Sequence, residues 1–79
     1  MNLKEAIQLI DENILHFKGL PFKFRANKEI VLRAVKSDGY FLQYASDSLK
    51  KDKEVVVSAI KQNGFALEFA DKSLKKNKN

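Results

Sequence analysis

A 25-residue repeat constrains this chain more than any other feature of its sequence. Residues 27–51 read NKEIVLRAVKSDGYFLQYASDSLKK, and residues 52–76 follow without a gap as DKEVVVSAIKQNGFALEFADKSLKK. The two copies agree at 12 of 25 positions, and most of the remaining positions exchange similar residue types. A fixed period of this length is typical of stacked repeat proteins, in which each unit buries its apolar face against the next.

A weaker third copy precedes the two full ones. Residues 1–26 keep the apolar register, but Ile14 stands at the glycine position and Glu5 replaces the apolar residue found at Ile30 and Val55. A polar substitution of this kind suits an end unit, because one of its faces has no neighbour. We therefore divide this single domain, residues 1–79, into a degenerate N-terminal cap (1–26), two full units (27–51 and 52–76) and a frayed tail (77–79).

Helix start and stop signals recur at the same places in each unit. Asn2, Asn27 and Asp52 are suited to N-caps, and Gly39 and Gly64 to the left-handed position that ends a helix. If so, Gly64→Ala should destabilise the fold by about 1 kcal/mol. These signals outweigh the β-branched run at 55–57, which alone would favour a strand. The predicted first helices are 3–14, 28–37 and 53–62.

The second half of each unit is predicted to be helical as well. Short helices are expected at 40–45 and 65–70, each followed by one helical turn that Ser46 or Asp71 could cap. The pairs Tyr40 with Tyr44 and Phe65 with Phe69 have helical spacing, so we expect both pairs to pack in the core rather than to stack on nucleic-acid bases. In the first unit, residues 16–26 contain Gly19 and Pro21 and are interpreted as a connector with apolar anchors.

Together these observations predict an all-α fold, namely a small right-handed helical repeat array similar to an α-solenoid. The full copies also resemble the domain of unknown function 4116 family. Its units share an acidic or amide start, an apolar block, lysine, a Gln-Asn-Gly type stop and then a series of aromatic, alanine and leucine positions. The first full copy departs from that pattern at Ser37, Asp38 and Phe41. The resemblance implies a small bacterial α-helical repeat domain without an assigned activity.

Composition narrows the class of protein further. The chain has no cysteine, which fits a reducing cytoplasm, and no apolar run approaches the roughly 18 residues of a membrane span. The N-terminus mixes charged and apolar residues, unlike a signal peptide. We therefore expect a cytoplasmic, unprocessed protein. The net charge is +5, and Lys72, Lys75, Lys76 and Lys78 are concentrated in the last eight positions.

No constellation of residues predicts catalysis. His16 is the only histidine, and the five serines include none in a nucleophile elbow. Asp11 and Glu12 are adjacent on a helix, so their carboxylates point about 100° apart and do not converge on one atom. We expect no enzyme activity, no cofactor and no metal site.

The lysines offer one functional hint. Stacked units would align them into ridges able to follow a phosphate backbone, although solvated lysines also keep a repeat array soluble. The candidate anion-contact residues are Lys28, Lys53, Lys36, Lys61, Lys50, Lys75, Lys51 and Lys76. The leading hypothesis is a non-enzymatic module that binds a protein or peptide, and the alternative is weak electrostatic binding of nucleic acid or another polyanion. We expect no membrane partner, and a monomer or weak oligomer.

Overall fold

The computed structural model describes residues 1–75, apart from the side chains of Ser73 and Lys75. This part of the chain contains α-helices and 3₁₀ helices and no strand, which confirms the all-α prediction. The predicted frayed tail at 77–79 lies outside the described residues. In order, the elements are α1 (Leu3–Glu12), η1 (Ile14–Gly19), α2 (Phe22–Arg25), α3 (Lys28–Ser37), η2 (Gly39–Tyr44), α4 (Asp47–Lys50), α5 (Lys53–Gln62), η3 (Gly64–Phe69) and α6 (Lys72–Lys75).

The sequence of a long α-helix, a 3₁₀ helix and a single α-helical turn thus occurs three times. Each long helix begins at the predicted N-cap, because the side chains of Asn2, Asn27 and Asp52 accept hydrogen bonds from backbone N–H groups of the first turn. At Asn2 the cap is reciprocal, with the Glu5 carboxylate accepting from the Asn2 backbone N–H at 3.0 Å. The β-branched run at 55–57 is helical within α5.

The long helices end differently from the prediction. Asn13, Asp38 and Asn63 adopt extended backbone at the three C-caps, and each side-chain oxygen accepts from the N–H two residues further on, at 3.0 Å. These turns start the 3₁₀ helices, because the cap oxygen satisfies a donor that the first turn leaves free. Neither Gly39 nor Gly64 has a left-handed backbone, so the predicted glycine stops are wrong.

Gly39 is required by close approach instead. A Cβ at this position would collide with the carbonyl oxygen of Ala59 in α5, whereas a Cβ at Gly64 would meet nothing within 4 Å. The expected cost of about 1 kcal/mol for Gly64→Ala therefore loses its basis. In the first unit Ile14 occupies the same register position, and α1 contacts α3 less extensively than α3 contacts α5.

Residues 16–26 are more regular than a connector. η1 covers Ile14–Gly19 and α2 covers Phe22–Arg25, so Gly19 ends one helix and Pro21 immediately precedes the next. Proline is compatible with a helix start because the first N–H groups of a helix have no intrahelical acceptor. The first unit therefore has the same three elements as the other two.

Equivalent positions of the three units supply the core. Ala6, Val31 and Val56 are all buried, and the same holds for Leu20, Ala45 and Ala70 at a second position. The predicted apolar register is thus observed in the burial pattern. The fully or nearly fully buried apolar residues also include Ile10, Phe17, Phe24, Ile30, Ala34, Val35, Phe41, Leu42, Leu49, Val55, Ala59 and Ala66.

The aromatic pairs pack less deeply than predicted. Phe41, not Tyr40, enters the core, and its ring contacts Phe17 in an edge-to-face arrangement at 5.9 Å between centroids. Tyr40 reaches the next unit instead and packs against Phe69 at 5.8 Å. Phe65 is 67% exposed, so the prediction that both pairs lie in the core is wrong for Phe65 and only partly right for Tyr40. In a 3₁₀ helix the residue spacing differs from that of an α-helix, which shifts the buried face by one position.

Backbone hydrogen bonds link consecutive units at one register position. The Ser46 N–H donates to the Arg25 carbonyl, and the Asp71 N–H donates to the Lys50 carbonyl, both at 3.0 Å. Beside them α3 packs against α5 and η2 packs against η3. Successive units are therefore joined by main-chain bonds as well as by side-chain packing.

Candidate interaction surfaces

The first lysine of α3 is committed to a contact between two helices. Lys28 Nζ lies 3.1 Å from an Asp52 carboxylate oxygen and 2.9 Å from one of Glu54, both at the start of α5. The hydrogen bond to Glu54 is the main cause that raises the pKa of Lys28, and the hydrogen bond to Asp52 is the second. The hydrogen bond from Lys28 in turn lowers the pKa of Asp52. Lys28 therefore neutralises neighbouring carboxylates, which reduces its attraction for an external anion.

Lys36 and Lys61 are the predicted ridge residues that the fold brings together. They line one shallow surface depression between α3 and α5, along with Ser58 and Gln62. In the first unit the equivalent position is Asp11, whose carboxylate lies 3.4 Å from Arg33 Nη1. This ridge therefore has an acidic residue in the first unit and a lysine in each of the second and third units.

The other predicted lysines are dispersed. Lys51 and Lys53 are exposed, Lys50 is half-buried, and the Lys75 side chain and Lys76 lie outside the described residues. The first-unit counterpart of Lys50 is Arg25, which the sequence reading passed over. Its guanidinium donates to the carbonyl oxygens of Leu20, at 3.0 Å, and Tyr44, at 3.2 Å. Arg25 thus has a structural role in joining two units. Its offset of 25 from Lys50 is the sequence signal that could have identified it as a repeat position.

The charge on the long helices changes sign along the chain. α1 carries three carboxylates and one lysine, α3 carries three cations and one carboxylate, and α5 carries two lysines and one carboxylate. A polyanion that crossed all three helices would meet repulsion at α1. Among the three long helices, a net positive charge is therefore confined to α3 and α5.

Among the residues that the structure describes, the His, Asp and Glu side chains are not gathered into a metal-binding centre. His16 is exposed in η1, and Asp11 and Glu12 are exposed at the end of α1. Within residues 1–75, no group of three or more His, Asp or Glu side chains is placed to hold a metal ion. No described helix is long and apolar enough to cross a membrane.

Several large apolar side chains of the third unit are exposed. Lys28, Leu32 and Val35 form a helical stripe of α3, and Gly39 follows at the start of η2. This stripe faces the third unit, because Lys28 pairs with carboxylates at the start of α5 and Gly39 lies against Ala59 of α5. The equivalent stripe of α5 contains Val57 and Ile60. We define the end surface as Val57, Ile60, Phe65 and Leu67.

The exposure of the end surface contrasts with that of its counterparts in the second unit. Leu42 is fully buried, whereas Leu67 is 46% exposed, and Tyr40 is 43% exposed, whereas Phe65 is 67% exposed. Val57 is 44% exposed. Of the end-surface side chains, the sequence pattern predicted a core position for Phe65. The signal that could have distinguished them is their place in the last copy, because a stack leaves the outward face of its last unit uncovered.

These features define an all-α protein with three similar helical units and with no gathered catalytic centre among the described residues. The pattern of the family described as a domain of unknown function (DUF4116) matches residues 4–47 and again residues 27–75. The chain therefore belongs to the DUF4116 family, as its repeat pattern predicts. Because the second match is displaced by about one unit, the family pattern extends over the degenerate first unit too. Neither the curated proteins nor the solved structures compared with the chain gave a match.

Proposed function

We propose that this protein is a non-enzymatic helical repeat module that binds another protein through the end surface. The observation that carries the proposal is the exposure of three large apolar side chains of the third unit, Phe65 at 67%, Leu67 at 46% and Val57 at 44%. Exposing several large apolar side chains together is unfavourable in water, by roughly 25 cal/mol per Å² of apolar area, and a protein partner would remove that area from water. The side chains of Asp52 and Asn63 cap the helices of this unit, and a surface on ordered helices lowers the entropic cost of binding.

The matched pair Phe65→Glu and Phe22→Glu tests this function. Phe22, in α2, is 62% exposed and is a control for adding a carboxylate at an exposed phenylalanine away from the end surface. With the protein immobilised in an extract of its native cells, we expect a specific captured protein to be lost with Phe65→Glu and kept with Phe22→Glu. Direct titration of that purified protein should show at least tenfold weaker binding to Phe65→Glu. Equal binding by both variants would exclude the end surface.

The depression lined by Lys36 and Lys61 supports polyanion binding as a second candidate function. Two lysines contact few phosphates, so the affinity should be weak and should fall by only about tenfold between 50 and 200 mM salt. Titration with a short labelled DNA duplex at 50 and 200 mM salt, using the native chain and the double variant Lys36→Gln, Lys61→Gln, tests it. Absence of binding at the lower salt, or binding that the double variant retains, would exclude this candidate.

A further inference from the structure

The way in which the second unit holds the third indicates what the end surface is shaped to receive. Three side-chain contacts join them. Lys28 pairs with Asp52 and Glu54, the Gly39 N–H donates to Gln62 Oε1 at 2.6 Å, and the Tyr40 ring packs on Phe69. A main-chain bond from Asp71 N to Lys50 O adds a fourth contact. Together these contacts require three features of the unit that packs on the second one. It must supply carboxylates at the start of its long helix, a backbone that can approach a glycine closely, and an aromatic ring.

The third unit presents the same set of groups on its opposite side. Lys53 stands at the register position of Lys28, Gly64 at that of Gly39, and Phe65 at that of Tyr40. Lys53 and Phe65 are exposed, and the space beside Gly64 is open to at least 4 Å. The end surface therefore continues the pattern of an interface that already exists within the molecule.

A second copy of this chain does not fit head to tail. Its leading face would offer Asn2 and Lys4 in place of Asp52 and Glu54, and Lys4 would approach Lys53 with like charge.

The apolar part of that leading face also differs. Glu5 stands at the position of Val55, which is fully buried, and Gly19 stands at that of Phe69. Docking would bury a carboxylate without a cation and leave Phe65 without an aromatic partner, and burying an unpaired carboxylate is strongly unfavourable. The first unit is therefore unsuited to cover the end surface.

We propose that the end surface binds a further unit of the same repeat pattern, with carboxylates equivalent to Asp52 and Glu54, a small residue equivalent to Ala59 and an aromatic ring equivalent to Phe69. The inference rests on the proposed function, because it names the partner of the same surface. The incoming helix lies against Gly64 as α5 lies against Gly39. Specificity comes from the two carboxylates that approach Lys53 and from the absence of a Cβ at Gly64.

A chain lengthened by one unit tests this inference. A second copy of residues 52–76 is inserted after residue 76, and the control carries a copy of residues 2–26, of equal length, at the same place. We expect the first insertion to raise the melting temperature, measured by circular dichroism, by about 4–8 °C or more. A shift of that size corresponds to a gain of about 1 kcal/mol in unfolding free energy for a domain of this size. The control insertion should leave it unchanged.

Gly64→Ala then reports whether the added unit docks in the proposed way. In the 79-residue chain the substitution should leave the melting temperature unchanged or slightly higher. In the chain with the matched insertion it should lower the melting temperature by about 4–8 °C, because the new Cβ meets the carbonyl equivalent to that of Ala59.

The outcomes separate this inference from the proposed function. If Gly64→Ala is neutral in both chains, the added unit does not dock as proposed, and the inference fails while the capture experiment with Phe65→Glu still decides the function. If the native chain self-associates in sedimentation equilibrium and Phe65→Glu abolishes the association, the end surface receives a second copy, which overturns the inference and keeps protein binding. If Phe65→Glu affects neither capture nor association, the proposed function fails as well.

Discussion

Glycine has different roles at two equivalent positions of this protein. Gly39 is buried, and its missing side chain allows the carbonyl of Ala59 to approach. Gly64 stands at the same register position but has no neighbour within 4 Å of where its Cβ would be. A glycine that recurs in the repeat is therefore required by a tertiary contact in one copy, whereas the next copy has room for a side chain at the same position.

Gly39→Ala should destabilise the protein while Gly64→Ala does not. We expect a loss of about 1–3 kcal/mol for Gly39→Ala, because the added methyl group overfills a packed contact. Gly64→Ala should be neutral or stabilising by up to about 1 kcal/mol, since alanine reduces the entropy of the unfolded chain. The free energy of unfolding in urea measures both. Equal effects of the two substitutions would contradict the assigned roles.

At the scale of elements, α3 and α5 are tied together at their first turns. Asp52 caps α5 through its side chain, which accepts from the N–H groups of Glu54 and Val55, and the same carboxylate pairs with Lys28 of α3. One carboxylate thus starts a helix and fixes it beside its neighbour. Because the ion pair with Lys28 requires the ionised form of Asp52, the element pair is sensitive to acid.

Acidification should weaken the α3 and α5 contact. Lys28 lowers the pKa of Asp52, so this carboxylate adds stability that is complete above its unfolded pKa, about 4, and is lost as the pH falls through the lower folded pKa. We expect Lys28→Met to reduce the acid-dependent loss of unfolding free energy, measured in urea between pH 6 and pH 2. The control is Lys53→Met, at the same register position of the third unit. A native-like acid dependence in Lys28→Met would contradict this role for Lys28.

At the scale of the whole molecule, stability should be greatest in the middle unit. α3 has α1 on one side and α5 on the other, and four of its side chains are fully buried: Ile30, Val31, Ala34 and Val35. α1 contributes two buried residues and α5 three. In a stack, each interface adds to the stability of the units that form it, so the central unit gains from two interfaces.

Amide hydrogen exchange should reveal this gradient. We expect residues 31–35 of α3 to exchange more slowly than residues 6–10 of α1, because the end helix can open without breaking both interfaces. Residues 56–60 of α5 should be intermediate. Measurement by NMR at neutral pH reads each amide separately. Equal protection of the three segments would mean that the molecule opens only as a whole.

The amino-acid sequence by itself determined most of the local structure. Its period of 25, the N-caps Asn2, Asn27 and Asp52, and the apolar register predicted an all-α fold, the start of each long helix and most of the buried positions, because caps and periodicity act within a few residues of the chain. The family membership also followed from that pattern. The turns at the Asn and Asp residues that end the long helices are local as well, and the sequence could have predicted them. The helix ends were instead assigned to the glycines that follow Asp38 and Asn63.

Only the tertiary structure decided what equivalent residues do. It gave Gly39 a backbone contact and left Gly64 open, put Phe41 rather than Tyr40 in the core, and committed Lys28 to two carboxylates of the next helix. These outcomes depend on which groups of a neighbouring unit lie across the interface. Within the described residues, that neighbour is a full unit for the second copy and is lacking for the third, so similar local sequences acquire different environments.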